Sequence, residues 1–206
     1  MIESQIYERF YGSRASADLL YRLASQVDVM GDFVECGIAM GSGIAIMKLA
    51  RPNRTVWGYD SFQGIHLAGP NDDQQPGIGA ITHDVNGELL VSSGVTVHTR
   101  EQVDTILYEH LKFKEDDFIL VEGWVQETLP KIKPKKIALL RLDMDLYDPT
   151  FCALTHLWKR LTKGGILLVD DGNLSGVVKA CGDFFKGIGY SPKWITDSEN
   201  PIYLIK

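Results

Sequence analysis

IALLRLDMDLYDPTFCALTHLWKRLTKGGILLVDD, residues 137–171, decides the fold. Its opening run, Ile137 to Leu142, is mostly apolar, too short for a free-standing helix, and ends abruptly at Asp143 and Asp145. Such a run reads as a buried strand of a parallel sheet. Phe151, Leu154, Leu157, Trp158 and Leu161 then recur at three- and four-residue spacing, so they share one face of a predicted helix. Lys159 and Arg160 fall near its C-terminal end, where the helix dipole favours cations. Gly164 and Gly165 are expected to stop this helix. Ile166 to Val169 give a second apolar strand, again ending in acid at Asp170 and Asp171. Strand, helix and strand make one βαβ unit.

The two strands of a right-handed βαβ unit run parallel and, if adjacent, lie about 4.8 Å apart. Their C-terminal carboxylates therefore converge. Two like charges about 4 Å apart repel by about 4 kcal/mol at an effective dielectric of about 20. Three such groups need protons, basic partners or a cation. Oxygen ligands favour magnesium, calcium or manganese. The plainer alternative is that these acids cap the following helices or face water, but acids closing both strands of one unit favour the cation.

At 206 residues and 45% hydrophobic content the chain can bury one sizeable core, and residues 1–206 read as a single domain. A net charge of -6 without a Lys/Arg cluster argues against a nucleic-acid surface. Cys36, Cys152 and Cys181 make an odd count without metal-ligand spacing. They read as reduced and buried, which points to the cytoplasm. No basic segment followed by an apolar run opens the sequence, and nothing approaches about 18 uninterrupted apolar residues, so neither secretion nor a membrane span is expected.

Residues 1–30 carry two predicted helices. Ile2, Ile6, Tyr7 and Phe10 mark the first, a candidate lid or contact within a homo-oligomer, with an ordinary packed terminus as the alternative. Ser16 is the expected cap of the second, which carries Leu19, Leu20, Leu23, Ala24 and Val27. Phe33 to Cys36 form a short strand running into Gly37-Ile38-Ala39-Met40-Gly41-Ser42-Gly43 and then a helix. Glycines let a ligand approach the backbone, and the helix N-terminus offers free N–H groups. The spacing departs from the dinucleotide G-x-G-x-x-G, and Glu35 could instead face a cationic amino group. Thr55 to Tyr59 form a second strand ending in Asp60, 25 residues after Glu35, where an acid can accept both ribose hydroxyls.

Gln63 to Gly87 is a long polar loop holding His66 and His83. Such loops are commonly functional. Thr99 and Gln102 fit a capping box opening a helix. Phe118 to Val121 form a third strand, ended by Gly123 and Trp124, and Trp124 could stack on an adenine or belong to the core. Val177 to Phe185 read as a helix, and Trp194 to Thr196 with Ile202 to Ile205 read as a closing hairpin.

GDFVECG, VWGYDSFQG, GWVQETLP, LLRLDMDLYDPT and KGGILLVDDG, in that order over roughly residues 31 to 185, resemble the macrocin O-methyltransferase family of TylF/MycF type. That family lies within the class I S-adenosylmethionine-dependent methyltransferases. The resemblance implies an α/β Rossmann-like fold with a seven-stranded, mostly parallel sheet, a C-terminal antiparallel hairpin and helices on both faces. It implies S-adenosylmethionine, a divalent cation such as Mg2+, and a small-molecule hydroxyl acceptor, typically a sugar diol of a natural product. By position, Asp143, Asp170 and Asp171 match the metal ligands, and Asp143 is thereby also catalytic. Glu35, Gly37, Ser42, Asp60, Ser61, Gly123 and Trp124 match cofactor contacts. His83 takes the place of the catalytic histidine. The region before GDFVECG is short for the family, and the loop after Asp60 departs from its pattern.

Two rival readings remain from sequence. A nicotinamide-dependent dehydrogenase also needs a glycine loop and a ribose-binding acid. A non-catalytic nucleoside-binding or scaffold protein would use the same acids only as caps.

Overall fold

The computed structural model describes residues 4–72, 96–196 and 201–206. The chain runs α1 (Ser4–Tyr7), α2 (Arg14–Gln26), β1 (Asp32–Cys36), α3 (Ser42–Ala50), β2 (Val56–Asp60), α4 (Arg100–Asp104), β3 (Phe118–Glu122), α5 (Val125–Thr128), β4 (Ile137–Leu142), α6 (Tyr147–Leu157), β5 (Leu161–Val169), α7 (Ser175–Gly187), β6 (Ile195–Thr196) and β7 (Ile202–Ile205). The strands form one seven-stranded sheet in the order β3-β2-β1-β4-β5-β7-β6. β3, β2, β1, β4 and β5 are parallel, while β7 pairs antiparallel with both β5 and β6. The expected mostly parallel sheet with a terminal antiparallel pair is therefore present. An antiparallel strand inserted after the fifth also separates this sheet from the all-parallel order of dinucleotide-binding dehydrogenases.

Period-two alternation explains why both faces are covered. Phe33, Leu139 and Leu168 pack with α2, α3 and Leu107, which follows α4. Val34, Leu140 and Leu167 pack with α5, α6 and α7. All six residues of β4 are buried, so it runs through the centre of the molecule. Replacing Leu139 or Leu140 by Ala should cost about 2–5 kcal/mol. Among the described residues no helix is long and apolar enough to cross a membrane. The three cysteines are unpaired, with Cys36 and Cys181 buried and Cys152 half-buried, so the expectation of three buried thiols holds fully for two.

Several local expectations need correction. Gly164 and Gly165 do not end α6, which passes into a 3-10 turn at Trp158–Arg160 before β5 begins at Leu161. They lie inside β5. Ile137 pairs with Leu161, yet Leu139 already pairs with Ile166, so β5 carries extra residues in a bulge. Gly164 takes φ +83, and a side chain on Gly165 would meet the carbonyl oxygens of Thr162 and Ala138 at 2.8 and 2.9 Å. Glycine reads alike as a helix stop or a bulge, and here it serves a bulge in the strand. The cap of α2 is Ser13, whose Oγ accepts the Ser16 N–H at 3.0 Å, three residues before the expected helix start. The Thr99–Gln102 capping box is present, but α4 gives way after five residues to a π-helical turn at Thr105–His110. α1 is a packed element, with Ile6 buried in the core shared with α2 and α3.

Candidate active site

The glycine loop joins β1 to α3. Gly37 turns with φ +82, and any side chain there would run into the carbonyl oxygen of Asp143, so glycine lets the ends of β1 and β4 come together. Asp60, at the end of β2, reaches back across this loop. Its Oδ2 accepts the N–H groups of Ile38 at 2.9 Å and Ala39 at 3.0 Å, and its Oδ1 accepts that of Phe62 at 2.8 Å. Burial pushes its pKa above the ordinary carboxylate value while these backbone donors pull it down. Beside it, Ser61 Oγ accepts from Gln63 N–H at 3.0 Å and donates to the Gly64 carbonyl at 3.2 Å. The Gly123 N–H donates to the Asp60 carbonyl at 2.9 Å, and the next residue, Trp124, packs edge to face with His66 at 4.9 Å between ring centres.

The other half of the sheet edge is acidic. Asp143, Asp170 and Asp171 each bring one carboxylate oxygen within 4.8 Å of the others. Burial, opposed by Arg141, holds the Asp143 carboxyl well above the ordinary range. Burial and the nearby Asp145 and Asp170 push Asp171 up to about 8, although Asp171 Oδ2 accepts the Asp145 N–H at 3.1 Å. Asp145 stands in the left-handed region at φ +61, and burial with repulsion from Asp170 raises its pKa to about 6. Three convergent oxygen donors with excess negative charge fit a hard divalent cation.

Arg141 is the counter-charge beneath this cluster. Its guanidinium pairs with Glu35 through Nη1, and Nη2 lies 2.8 Å from both Asp143 Oδ2 and Asp170 Oδ1. Glu35 is fully buried. Glu35 therefore does face a cation, but the cation is the protein's own. Burial, partly offset by Arg141, moves its pKa up to about 7. Ser42 is likewise buried, and its Oγ has no hydrogen-bond partner among the described residues.

A cavity of about 470 Å³ opens over both halves. Gly37, Asp60, Ser61, Trp124, Asp143, Asp170 and Asp171, all candidates from sequence, line it together. Glu35, Ser42 and Gly123 do not reach its wall. His83 lies outside the described residues. Tyr11, Asp145 and Asn173, which were not site candidates, line the cavity, as does His66. Tyr11 also bonds His98 Nε2 through its hydroxyl at 2.9 Å. The D-x-D spacing of Asp143 and Asp145 was the available signal for Asp145, whereas nothing local marks Tyr11.

The macrocin-O-methyltransferase (TylF) family profile matches residues 17–190. The chain belongs to the macrocin O-methyltransferase family. A relative from Streptomyces olivaceus, 8-demethyl-8-(2,3-dimethoxy-alpha-L-rhamnosyl)-tetracenomycin-C 4'-O-methyltransferase, is 33% identical over 79% of this chain and 61% of its own length. Demethyldecarbamoylnovobiocin O-methyltransferase from Streptomyces niveus is 35% identical over 70% of this chain and 53% of its own. The chain thus spans between about half and two-thirds of the length of these two relatives. Among solved structures, the O-methyltransferase NovP superposes with a TM-score of 0.75 at 25% identity, over 93% of this chain and 79% of that one.

Proposed function

We propose that this TylF-family chain is an S-adenosylmethionine-dependent, divalent-cation-dependent O-methyltransferase. Its acceptor is a hydroxyl of a small molecule, a sugar or other diol in natural-product biosynthesis. The observation that carries the reading is that a glycine loop pinned by Asp60 and a cluster of three acids open into one cavity. The named activities of the Streptomyces olivaceus and Streptomyces niveus relatives support the choice of reaction.

S-adenosylmethionine would supply a methyl carbon on a positively charged sulfur, and a divalent cation would supply a Lewis acid that orients the acceptor hydroxyl and weakens its hold on its proton. Asp143, Asp170 and Asp171 are the residues that would hold the cation. Asp60 would accept ribose hydroxyls with the lone pairs its three backbone donors leave open. Gly37 would let the cofactor approach the backbone, and Trp124 would offer its ring to the adenine. In such a transfer a carbon–oxygen bond would replace the carbon–sulfur bond, whose electron pair would stay on sulfur. The hydroxyl proton passes to a nearby base. His83 is the candidate base that the family resemblance offers, although the loop carrying it departs from the family pattern and lies outside the described residues, whereas His66 and Asp145 are described residues that reach the cavity. Enclosing both reactants supplies alignment.

Thermal melting with S-adenosylmethionine, NAD and Mg2+, separately and together, tests this reading. Saturating ligand at about 100 times its dissociation constant stabilises by about 2.7 kcal/mol. S-adenosylmethionine and Mg2+ should raise the melting temperature and NAD should not. Stabilisation by NAD alone would overturn the proposal.

A further inference from the structure

We propose that Arg141 is a positioning residue: anchored by Glu35, it holds one oxygen each of Asp143 and Asp170 inward, so that their other oxygens converge on the cavity as cation ligands. The proposal rests on the cation reading of the acid cluster given above. Register is the first reason. β1 and β4 pair so that Glu35 lies beside Arg141, on the sheet face that otherwise carries Phe33 and Leu139. A charge in that position is tolerated only with a partner, and each of these two supplies the other's.

The guanidinium has three carboxylates around it. Nη1 meets Glu35, and Nη2 lies 2.8 Å from Asp143 Oδ2 and 2.8 Å from Asp170 Oδ1. The Nη2 contacts with the two aspartates are ion pairs without aligned hydrogen bonds, and Asp170 Oδ1 is itself buried. The Asp170 side chain is nonetheless 13% exposed and that of Asp143 20%, so each turns one part inward and another towards the cavity. The Phe10 ring covers the guanidinium at 5.2 Å. Gly43 leaves room for the Glu35 carboxylate, which any side chain there would strike. A planar fork can serve several carboxylates at fixed angles, whereas an ammonium is a single point charge. Arg141 thus sets the spacing of two groups that would otherwise repel one another.

Calorimetric titration of the full chain with Mn2+ as the probe tests this. Arg141→Met alone would leave Glu35 buried without a partner, so the variant of choice is Glu35→Gln/Arg141→Met, which removes both charges. Arg141→Lys, which keeps a cation, serves as an independent second variant. Circular dichroism establishes that each is folded. The Mn2+ dissociation constant should rise at least tenfold in both. Tighter Mn2+ binding would make Arg141 merely a repelling charge, and unchanged binding with a lower melting temperature would make it merely structural. Either result overturns the proposal. Failure of the wild-type chain to bind Mn2+ would remove the cation reading and this role with it, whereas equal binding by wild type and variants would remove the positioning role alone.

Discussion

The two halves of the sheet's C-terminal edge treat their acids differently. At the β1–β2 side a single carboxylate, Asp60, receives three backbone N–H donors and is nearly satisfied by the loop it pins. At the β4–β5 side, Arg141 meets both Asp143 and Asp170, and Asp171 accepts the Asp145 N–H, with the Asp145 carboxyl close by. Backbone dipoles can settle one acid at a strand end, but not four. On the proposed reading the first half receives a neutral, hydroxyl-bearing group and the second a cation. Substitutions on the two sides should therefore separate cleanly.

The largest effect is expected on the acidic side. Asp143→Asn or Asp170→Asn should lower methyl transfer from S-adenosylmethionine to a glycoside acceptor by about 1,000-fold, about 4 kcal/mol of barrier, if the cation carries the acceptor. Cofactor affinity should stay within about twofold of wild type. Equal loss of both would mean that the halves are not separable. Gly37→Val attacks the seam between them, because it adds a branched side chain at φ +82 against the Asp143 carbonyl. It should cost about 3 kcal/mol and lower the melting temperature by about 6–12 °C. A wild-type melt would show that β1 and β4 do not meet there.

The same contrast separates what the sequence shows from what it hides. The acids closing β4 and β5 stood out because both strands end abruptly in charge after an apolar run, and Asp60 stood out by its distance from Glu35. Arg141 passed as one residue of an apolar strand. Its position in a strand buried on both faces implied a partner, but that partner, Glu35, is 106 residues away and is identified only by strand register. Glu35 reads from sequence as an acid beside a glycine loop, and the cation it meets is hidden beneath it. Gly164 and Gly165 read as the stop of α6, but they lie in a bulge within β5. Tyr11 follows the helical pattern of Ile6, Tyr7 and Phe10, and reaches the cavity through tertiary packing that this pattern does not specify.

A smaller effect is expected from Asp60→Ala. It should weaken S-adenosylmethionine binding at least tenfold, about 1.5–3 kcal/mol, and also loosen the loop whose N–H groups lose their acceptor. Calorimetry with unchanged affinity would take Asp60 out of the site. Smallest is Asp171→Asn without added metal. Its amide oxygen can still accept the Asp145 N–H while the charge that burial and Asp145 oppose is gone. The metal-free chain should gain about 1 kcal/mol and melt about 2–4 °C higher. A lower melt would mean that the acids are already balanced.

The most direct measurement is a crossed calorimetric titration of wild type, Asp60→Ala and Asp170→Asn with S-adenosylmethionine and with Mg2+. The account predicts that wild type binds both. Asp60→Ala should lose cofactor affinity and keep Mg2+, and Asp170→Asn should lose Mg2+ and keep the cofactor. Mg2+ binding that survives Asp170→Asn but disappears in Asp60→Ala would contradict the division of the site.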